Sequence, residues 1–313
     1  MILTNSIIIL IIILALCGLV FINIFLSIKN TLRPEIDQCP NFSLLGQFNY
    51  DSSNISTWTK SWSKLVDPND IVIAVPNSSC HKNPSISPSR YLCYQQDNGF
   101  YSPYINIAKA LRMGKHKAIL FVHDDMILTS SLWKKLGKTN WITARQFWQR
   151  YDTIKIYKNG STSVDSTWSW WKMCYNSFTN LMQDSDFATY LHGSRNGDQF
   201  INVRHGQSDM LYAYFSNDEQ QRYFLDILDL FAKHKLFLEC ALPTAVFMMQ
   251  EKFEIKVYNA PLCTSWDYGN IRKDADKMIE YCAKKKNIHE AYHPIKISKY
   301  NNWTGYFDGL LSL

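Results

Sequence analysis

The chain has 313 residues, of which 46% are hydrophobic, 14% aromatic and 19% charged. This composition allows a domain of roughly 250 residues to bury a large core. The formal net charge is +6 and the one basic run is Lys284-Lys285-Lys286, which is typical of a solvated helix end, so we expect no nucleic-acid partner.

The N-terminal segment predicts a membrane anchor. Residues 6–28 are almost uninterrupted Ile, Leu, Val, Phe and Ala, and a helix of this length spans roughly 30 Å, enough for the hydrocarbon core of a bilayer. A cleaved signal peptide is the alternative, but its apolar region normally has about 7–15 residues and follows a basic stretch. Residues 1–5 contain no Lys or Arg, so we predict a cytoplasmic tail at 1–5 and an uncleaved signal anchor at 6–28.

Two features of the sequence disagree about the orientation of this anchor. Lys29 and Arg33 follow it, so the positive-inside rule alone places the bulk of the chain inside the cell. The sequence also contains N-x-Ser/Thr sequons, as expected for a glycosylated lumenal chain. They begin at Asn41, Asn54, Asn77, Asn159 and Asn302. We predict a single-pass type II membrane protein of the Golgi or endoplasmic reticulum, with a lumenal catalytic domain.

The chain has eight cysteines, and one of them, Cys17, lies in the predicted anchor. The remaining odd number leaves at least one cysteine without an intramolecular partner, and no C-x-x-C spacing indicates zinc. Cys80 and Cys93 are candidate disulfide partners across a short loop, although spacing alone leaves the connectivity open.

The boundary between stem and folded domain is predicted near residue 69. Residues 29–68 are polar, rich in Asn, Ser and Thr, and lack sustained periodicity, which predicts a stem. The catalytic domain is predicted to span residues 69–313 and to begin with the buried-strand pattern of Asp70–Asn77. A helical stretch from Tyr104 to Met113 then precedes the apolar strand of residues 118–122.

Further elements alternate along the chain and together predict an α/β fold. Ser216-Asn217-Asp218-Glu219 has the Ser-x-x-Glu spacing of a capping box, so a helix is predicted to begin at Ser216. The other predicted elements are a strand at residues 91–94, partly helical structure at 133–148, a strand at 200–203, an apolar run ended by proline at 236–243 and a helix at 274–286.

An acidic pair follows the strand of residues 118–122. Asp124 and Asp125 come directly after His123. Two adjacent carboxylates at the end of a buried strand are costly unless something neutralises them, and a divalent cation is the usual partner. The order of helix, breaker, buried strand and acidic pair places a charged site at the carboxyl edge of an α/β sheet.

This region resembles the nucleotide-sugar half of GT-A-fold glycosyltransferases. The resemblance rests on the Asp97-Asn98-Gly99 turn, on Asn106 in the following helix and on the strand into His123-Asp124-Asp125. Residues 71–77 are similar to the first strand of that fold. The resemblance covers about residues 70–130, and it implies a GT-A-like (Rossmann-like) fold with a mixed, mainly parallel sheet flanked by helices.

The resemblance also implies site residues and cofactors. Asp125 falls on the position that usually contacts the metal, and Asp124 on the neighbouring position that helps hold the ribose or sugar. His293 resembles the C-terminal His that completes the metal shell in several families of this fold. The residues implied for the donor are Pro76, Asn77, Asp97, Asn106, Asp124 and Lys296, and those for the metal are Asp125, Asp124 and His293. The implied cofactors are Mn²⁺ or Mg²⁺ and a nucleotide sugar, with UDP-linked sugars as the expectation.

The chain departs from the family pattern at His123, where exostosin-like members carry a third Asp. Histidine can itself be a metal ligand or an outer partner of one. The physical logic of a cation here is independent of the family: a nucleotide diphosphate leaving group develops negative charge, which a divalent ion held by hard oxygen ligands neutralises.

Two acids are candidates for the base that accepts the proton of the acceptor hydroxyl. Glu239 lies in an otherwise apolar run, where desolvation would raise its pKa and suit it to proton transfer; the alternative is a salt bridge to Lys or Arg. Asp209 follows Gly206-Gln207-Ser208, a loop that would instead grip the acceptor or donor sugar, or simply form a turn.

The expected function is transfer of a sugar from a nucleotide-diphosphate donor to a glycan or glycoprotein hydroxyl. Trp168, Trp170 and Trp171 would stack on sugar rings or belong to the core. One alternative is a catalytically silent lectin or assembly subunit, and another is an acidic pair that only caps the helix after Ser130. A metal-dependent phosphohydrolase is also an alternative, although the histidines show no recurrent metal spacing and two-metal sites need several such ligands.

Overall fold

The computed structural model describes residues 41–48, 54–80, 87, 90–95, 102–146, 153–163, 171–194, 196–206, 209–264, 275–284 and 289–295. All of them belong to one compact unit. The predicted tail and anchor at residues 1–28 lie outside the described residues. Among the residues that are described, no helix combines the length and the apolar character needed to span a bilayer.

Two sheets organise the described part of the chain. The strands are β1 (Ser43–Gln47), β2 (Ile71–Pro76), β3 (Tyr91–Tyr94), β4 (Ala118–His123), β5 (Ile127–Leu128), β6 (Trp141–Gln146), β7 (Ile154–Tyr157), β8 (His192–Gly193), β9 (Gln199–Val203), β10 (Met210–Tyr214), β11 (Val257–Thr264) and β12 (Ala291–His293). The main sheet has nine strands in the order β3-β2-β1-β4-β10-β6-β11-β12-β5, and a smaller sheet has the order β7-β9-β8.

Most strands of the main sheet run in one direction. β3, β2, β1 and β4 pair in parallel, as do β6, β11 and β12. β10 is antiparallel to both β4 and β6, and β5 is antiparallel to β12. The two parallel groups therefore share a direction and a common carboxyl edge. The predicted α/β class with a mixed, mainly parallel sheet is confirmed.

Helices flank this sheet on both faces. They are α1 (Ile55–Trp62), α2 (Ser102–Met113), α3 (Ser130–Trp133), α4 (Trp171–Leu181), α5 (Asp218–Lys233), α6 (Leu238–Phe253) and α7 (Ala275–Lys284), with 3₁₀ turns at Pro68–Asp70, Asn77–Ser79 and Ser185–Tyr190. Leu45 of β1 belongs to the core cluster that α2, α5 and α6 complete. The next residue, Gly46, contacts Trp58 of α1, because successive strand residues face opposite sides of a sheet.

The predicted stem is wrong for the part of it that the structure describes. β1 lies between β2 and β4 in the main sheet, and all five of its residues are buried. Trp58 and Trp62 of α1 are also buried. A five-residue strand that is buried on both faces does not alternate between polar and apolar residues. Because β1 lacks this alternation and the sequence around it is rich in Asn and Ser, sequence analysis did not identify it as a central strand of the fold.

Three further boundaries differ from the sequence-based predictions. The stretch 133–148 was predicted to be partly helical, and its described residues 133–146 contain only the last residue of α3 before the strand β6. The N-cap of α5 is Asn217, whose side chain accepts from Gln220 N, while Gln220 Oε1 accepts from Ser216 N. Pro243 lies inside α6 instead of ending an element. The predicted elements at 71–76, 91–94, 104–113, 118–122 and 200–203 are confirmed.

Candidate functional site

Three residues that are distant in the sequence lie at one edge of the main sheet. His123 is the last residue of β4, and His293 is the last residue of β12. Asp209 directly precedes Met210, the first residue of the antiparallel strand β10, so it lies at the edge where the parallel strands end. The Asp209 carbonyl accepts a hydrogen bond from His123 N at 3.0 Å, which joins two of the three positions through the backbone.

The proximity of His123 and His293 depends on a curved sheet. Their ring centroids are 6.3 Å apart, although four inter-strand steps separate β4 from β12, which in a flat sheet would place the strands about 19 Å apart. β5 follows β4 after a short turn and pairs with β12, with Ile127 opposite Tyr292. The Asp124-Asp125 turn therefore connects β4 to the far edge of the sheet.

The Asp209 carboxylate lies between the two imidazole rings. Its Oδ1 is 3.7 Å from His123 Nδ1, and its Oδ2 is 3.4 Å from His293 Nδ1. One ligand atom from each residue lies within 4.8 Å of the other two, which makes this group a possible metal site. His123 was identified from sequence as a departure from the family motif, and Asp209 as a candidate base; the structure brings both together with His293.

Asp125 occupies the opposite side of the His293 ring. Its Oδ1 is 3.1 Å from His293 Nε2, and its backbone carbonyl accepts from Ile295 N at 2.6 Å. Asp125 is 7% exposed. The resemblance implies a direct contact between Asp125 and a metal, but the structure places this carboxylate on the imidazole nitrogen that faces away from Asp209.

The three-residue group fits a divalent cation. Ligand atoms on a tetrahedral ion at about 2.1 Å lie about 3.4 Å from one another, and those on an octahedral ion about 3.0 Å. The two Asp209 oxygens lie 3.7 Å and 3.4 Å from one nitrogen each, and one ligand atom from each of the three residues lies within 4.8 Å of the other two, so binding an ion would draw the ligand atoms closer together. The side chains of His123, Asp209 and His293 are 8%, 14% and 15% exposed, so the group is largely shielded from water but still reachable from solvent.

Glu239 lies next to this group, in the first turn of α6. Burial raises the pKa of Glu239 to about 7, the nearby Asp209 carboxylate adds to the increase, and His293 partly opposes it. The predicted effect of desolvation on this carboxyl group is confirmed. An acid with a pKa near neutral is suited to accept a proton and release it again at physiological pH.

Backbone and disulfide contacts fix the position of Glu239. Its carbonyl accepts from Gly206 N at 2.8 Å, which joins the start of α6 to the segment before β10. The neighbouring Cys240 forms a disulfide with Cys174 of α4. In α4, the ring centroid of Trp171 lies 6.4 Å from that of His205. Trp171 is half-buried, and the other two tryptophans of the predicted cluster, Trp168 and Trp170, lie outside the described residues.

The residues predicted to bind the donor lie in part at the same edge. Pro76 ends β2, and the exposed Asn77 follows it. Asn106 of α2 is fully buried and donates from Nδ2 to Gln47 Oε1 at 2.9 Å. Gln47 ends β1, and its carbonyl accepts from Asp124 N at 2.9 Å. Asn106 thus supports the acidic turn through Gln47.

Sequence reasoning missed Gln47 because the stem prediction included it. Gln47 lies opposite His123 in the register of β1 and β4 and is fully buried. A polar residue that follows the short apolar run Leu44-Leu45 and Gly46 was the signal that could have identified a strand end at this position. Asp97 and Lys296, which were also predicted to bind the donor, lie outside the described residues.

Comparisons with known proteins do not indicate a function for this chain. The chain matches no protein-family model and no curated protein. The functional argument therefore rests on the group His123, Asp209 and His293, on the neighbouring Glu239 and on their common place at the carboxyl edge of the sheet.

Proposed function

We propose that the protein is a membrane-anchored glycosyltransferase that moves a sugar from a nucleotide-diphosphate donor to a hydroxyl group of a glycan or glycoprotein. The observation that carries the proposal is the position of Glu239, whose pKa is about 7, beside the group formed by His123, Asp209 and His293. A candidate base and a candidate cation site thus lie together at the carboxyl edge of parallel strands, where α/β proteins bind nucleotides.

In this proposal each side chain has a separate task. His123, Asp209 and His293 would hold a divalent cation, Mn²⁺ or Mg²⁺ by the family resemblance. The cation would neutralise the charge of the diphosphate leaving group. Asp124, in the turn after β4, and Pro76 and Asn77, at and directly after the end of β2, are described candidates for contacts to the nucleotide sugar, and the buried Asn106 would act through Gln47.

Glu239 would accept the proton of the acceptor hydroxyl. As that oxygen forms its bond to the anomeric carbon, the bond from this carbon to the diphosphate breaks, and the nucleoside diphosphate leaves with the electron pair. Glu239 is favoured over Asp209 for this role because the Asp209 carboxylate lies between two imidazoles, whereas burial raises the pKa of Glu239 to about 7.

The disulfides support a lumenal location for the domain. Cys80–Cys93, Cys174–Cys240 and Cys263–Cys282 are bonded, and such bonds form and persist in oxidising compartments. The sequon at Asn159 is exposed in a turn. After expression in eukaryotic cells, we expect glycosidase treatment to increase the gel mobility of the protein, and Asn159→Gln to remove one glycan; an unmodified chain would contradict the lumenal location.

The catalytic proposal is tested with the full-length protein, Mn²⁺, a panel of nucleotide-diphosphate sugars and a panel of glycan acceptors. We expect release of nucleoside diphosphate that depends on both donor and acceptor. Glu239→Gln should bind the donor but transfer sugar about 10²- to 10⁴-fold more slowly. Glu254→Gln is the matched control, because Glu254 is an exposed acid at the other end of the same helix.

Two outcomes would refute the transferase and separate the alternatives, and a third would refute only the role of Glu239. Donor binding without turnover would indicate the lectin or assembly subunit. Hydrolysis that is unaffected by any acceptor would indicate a phosphohydrolase. Full transfer activity in Glu239→Gln would remove this residue from the mechanism.

A further inference from the structure

We propose that the cation site of this protein is a centre of two histidines and one carboxylate, His123, His293 and Asp209, that selects transition-metal ions over Mg²⁺ and Ca²⁺. The inference deepens the proposed function and rests on its requirement for a cation at this edge of the sheet. It also departs from the ligand set that the family resemblance implies, because it assigns Asp125 a supporting place instead of a direct contact with the metal.

The geometry of Asp209 is the first support for this ligand set. The two oxygens of its carboxylate face different histidines, Oδ1 toward His123 Nδ1 at 3.7 Å and Oδ2 toward His293 Nδ1 at 3.4 Å. These distances are longer than an ordinary hydrogen bond of about 2.7–3.2 Å, and one ligand atom from each of the three residues lies within 4.8 Å of the other two. A bound cation would replace the two long contacts between Asp209 and the histidines by three metal–ligand bonds, one to each residue.

The place of Asp125 is the second, independent support. Metal-binding histidines usually donate from their other ring nitrogen to a carboxylate, which fixes the tautomer and the ring orientation. Asp125 Oδ1 lies 3.1 Å from His293 Nε2, and the opposite nitrogen of the same ring faces Asp209. The hydrogen bond from Ile295 N to the Asp125 carbonyl holds this residue in place. Asp125 is therefore a positioning residue for His293.

The chemistry of the ligands determines the choice of ion. Mg²⁺ and Ca²⁺ prefer oxygen ligands, and this group offers two imidazole nitrogens and one carboxylate. Imidazole suits zinc, iron, nickel and copper, and affinity for a given site generally increases from Mn²⁺ through Co²⁺ to Cu²⁺. We therefore expect Zn²⁺ and Co²⁺ to bind more tightly than Mn²⁺, and Mn²⁺ more tightly than Mg²⁺.

The test measures binding to the full-length protein in detergent, without donor or acceptor. Calorimetric titrations with Zn²⁺, Co²⁺, Mn²⁺ and Mg²⁺ give the order of affinities. Pulsed electron paramagnetic resonance of the Mn²⁺-loaded protein then detects nitrogen nuclei bonded to the ion. We expect one bound ion with two imidazole nitrogens, and no displacement of Mn²⁺ by excess Mg²⁺.

Variants test the individual places. His123→Asp restores the acid of the family motif and should raise the affinity for Mg²⁺ relative to Zn²⁺, with one nitrogen signal lost. Asp125→Asn should weaken Mn²⁺ binding about 10- to 100-fold while both nitrogen signals remain. His192→Ala is the matched control, because His192 pairs with Glu251 at 3.3 Å and belongs to the smaller sheet; its metal affinity should equal that of the unmodified protein.

The outcomes separate this inference from the proposed function. Equal affinity for Mg²⁺ and Mn²⁺, absence of nitrogen signals or absence of any bound ion in the unmodified protein would each overturn the inference, and none of these measurements depends on a variant that folds. Binding as expected together with no consumption of any donor would support the metal site and refute the transferase. Sugar transfer by a protein that binds Mg²⁺ as tightly as Mn²⁺ would support the transferase and refute the selective metal site.

Discussion

Pro243 lies four residues after Glu239 in α6 and leaves the Glu239 carbonyl without its helical donor. Proline has no backbone N–H, so the hydrogen bond that would normally close this turn is absent. Gly206 N donates to the same carbonyl at 2.8 Å instead. An imperfection in the helix thus attaches the segment before β10, which leads to Asp209, to the turn that carries the candidate base.

Replacing this proline tests the attachment. Pro243→Ala supplies an N–H that competes for the Glu239 carbonyl, and the Gly206 contact should weaken. We expect sugar transfer to slow several-fold, while the free energy of unfolding stays equal or increases, because proline inside a helix costs about 3 kcal/mol relative to alanine. Steady-state kinetics and chemical denaturation measure the two effects. Pro68→Ala, at the start of an exposed 3₁₀ turn, is the control, and unchanged kinetics in Pro243→Ala would contradict the expectation.

The raised pKa of Glu239 predicts how the activity and the stability depend on pH. A base must be ionised, so the initial rate of transfer should increase as pH rises through the pKa of Glu239, which is about 7 in the cation-free protein and falls when a cation binds nearby. This increase should be absent in Glu239→Gln.

Stability should respond to pH in the opposite direction. Because the folded pKa of about 7 lies above the ordinary value of 4.5, the folded protein holds a proton that the unfolded chain releases, and the contribution of Glu239 is complete below pH 4.5 and lost as pH rises through 7. Glu239→Gln should lack this loss, which is on the order of 3 kcal/mol. Denaturation curves between pH 4 and 8 check the difference, and a parallel pH profile for both proteins would argue against it.

The disulfide between Cys174 and Cys240 should stabilise the domain more than the disulfide between Cys80 and Cys93. The two bonds span 66 and 13 residues, and a longer closed loop restricts the unfolded chain more strongly. Replacing each pair by alanine should cost about 2–5 kcal/mol, with the greater loss for Cys174 and Cys240. Thermal unfolding measures the order, and an equal or reversed order would show that loop length does not determine it here.

Gly46 should tolerate no side chain. A Cβ atom at this position would clash with Cη2 of the buried Trp58 ring. Gly46→Ala should therefore destabilise the protein by about 1–3 kcal/mol, the usual cost of overpacking a core. Gly193→Ala is the matched control, because a Cβ there meets no heavy atom within 4 Å. A similar midpoint of denaturation for both variants would show that α1 shifts without cost.

The sequence alone predicted those elements whose signal is local. The apolar run of Ala118–Val122, the helix that ends at Met113 and the strand into Pro76 each show the pattern that their burial requires, and the structure confirms them. The rise in the pKa of Glu239 was predicted from the apolar run around it, and burial is its largest cause. β1 was missed because its burial comes from strands β2 and β4, which its own five residues do not reveal.

The candidate site required the tertiary structure. His123, Asp209 and His293 come from three separate stretches of the sequence, and no spacing indicates that they meet. β10 is antiparallel to its neighbours, which puts Asp209 at the edge where β4 ends. β5, which follows β4 in the chain, pairs with β12 and so brings His293 to the same edge. The sequence therefore determined which ligand and acid groups the chain offers, and the pairing and curvature of the strands decided which of them face one another.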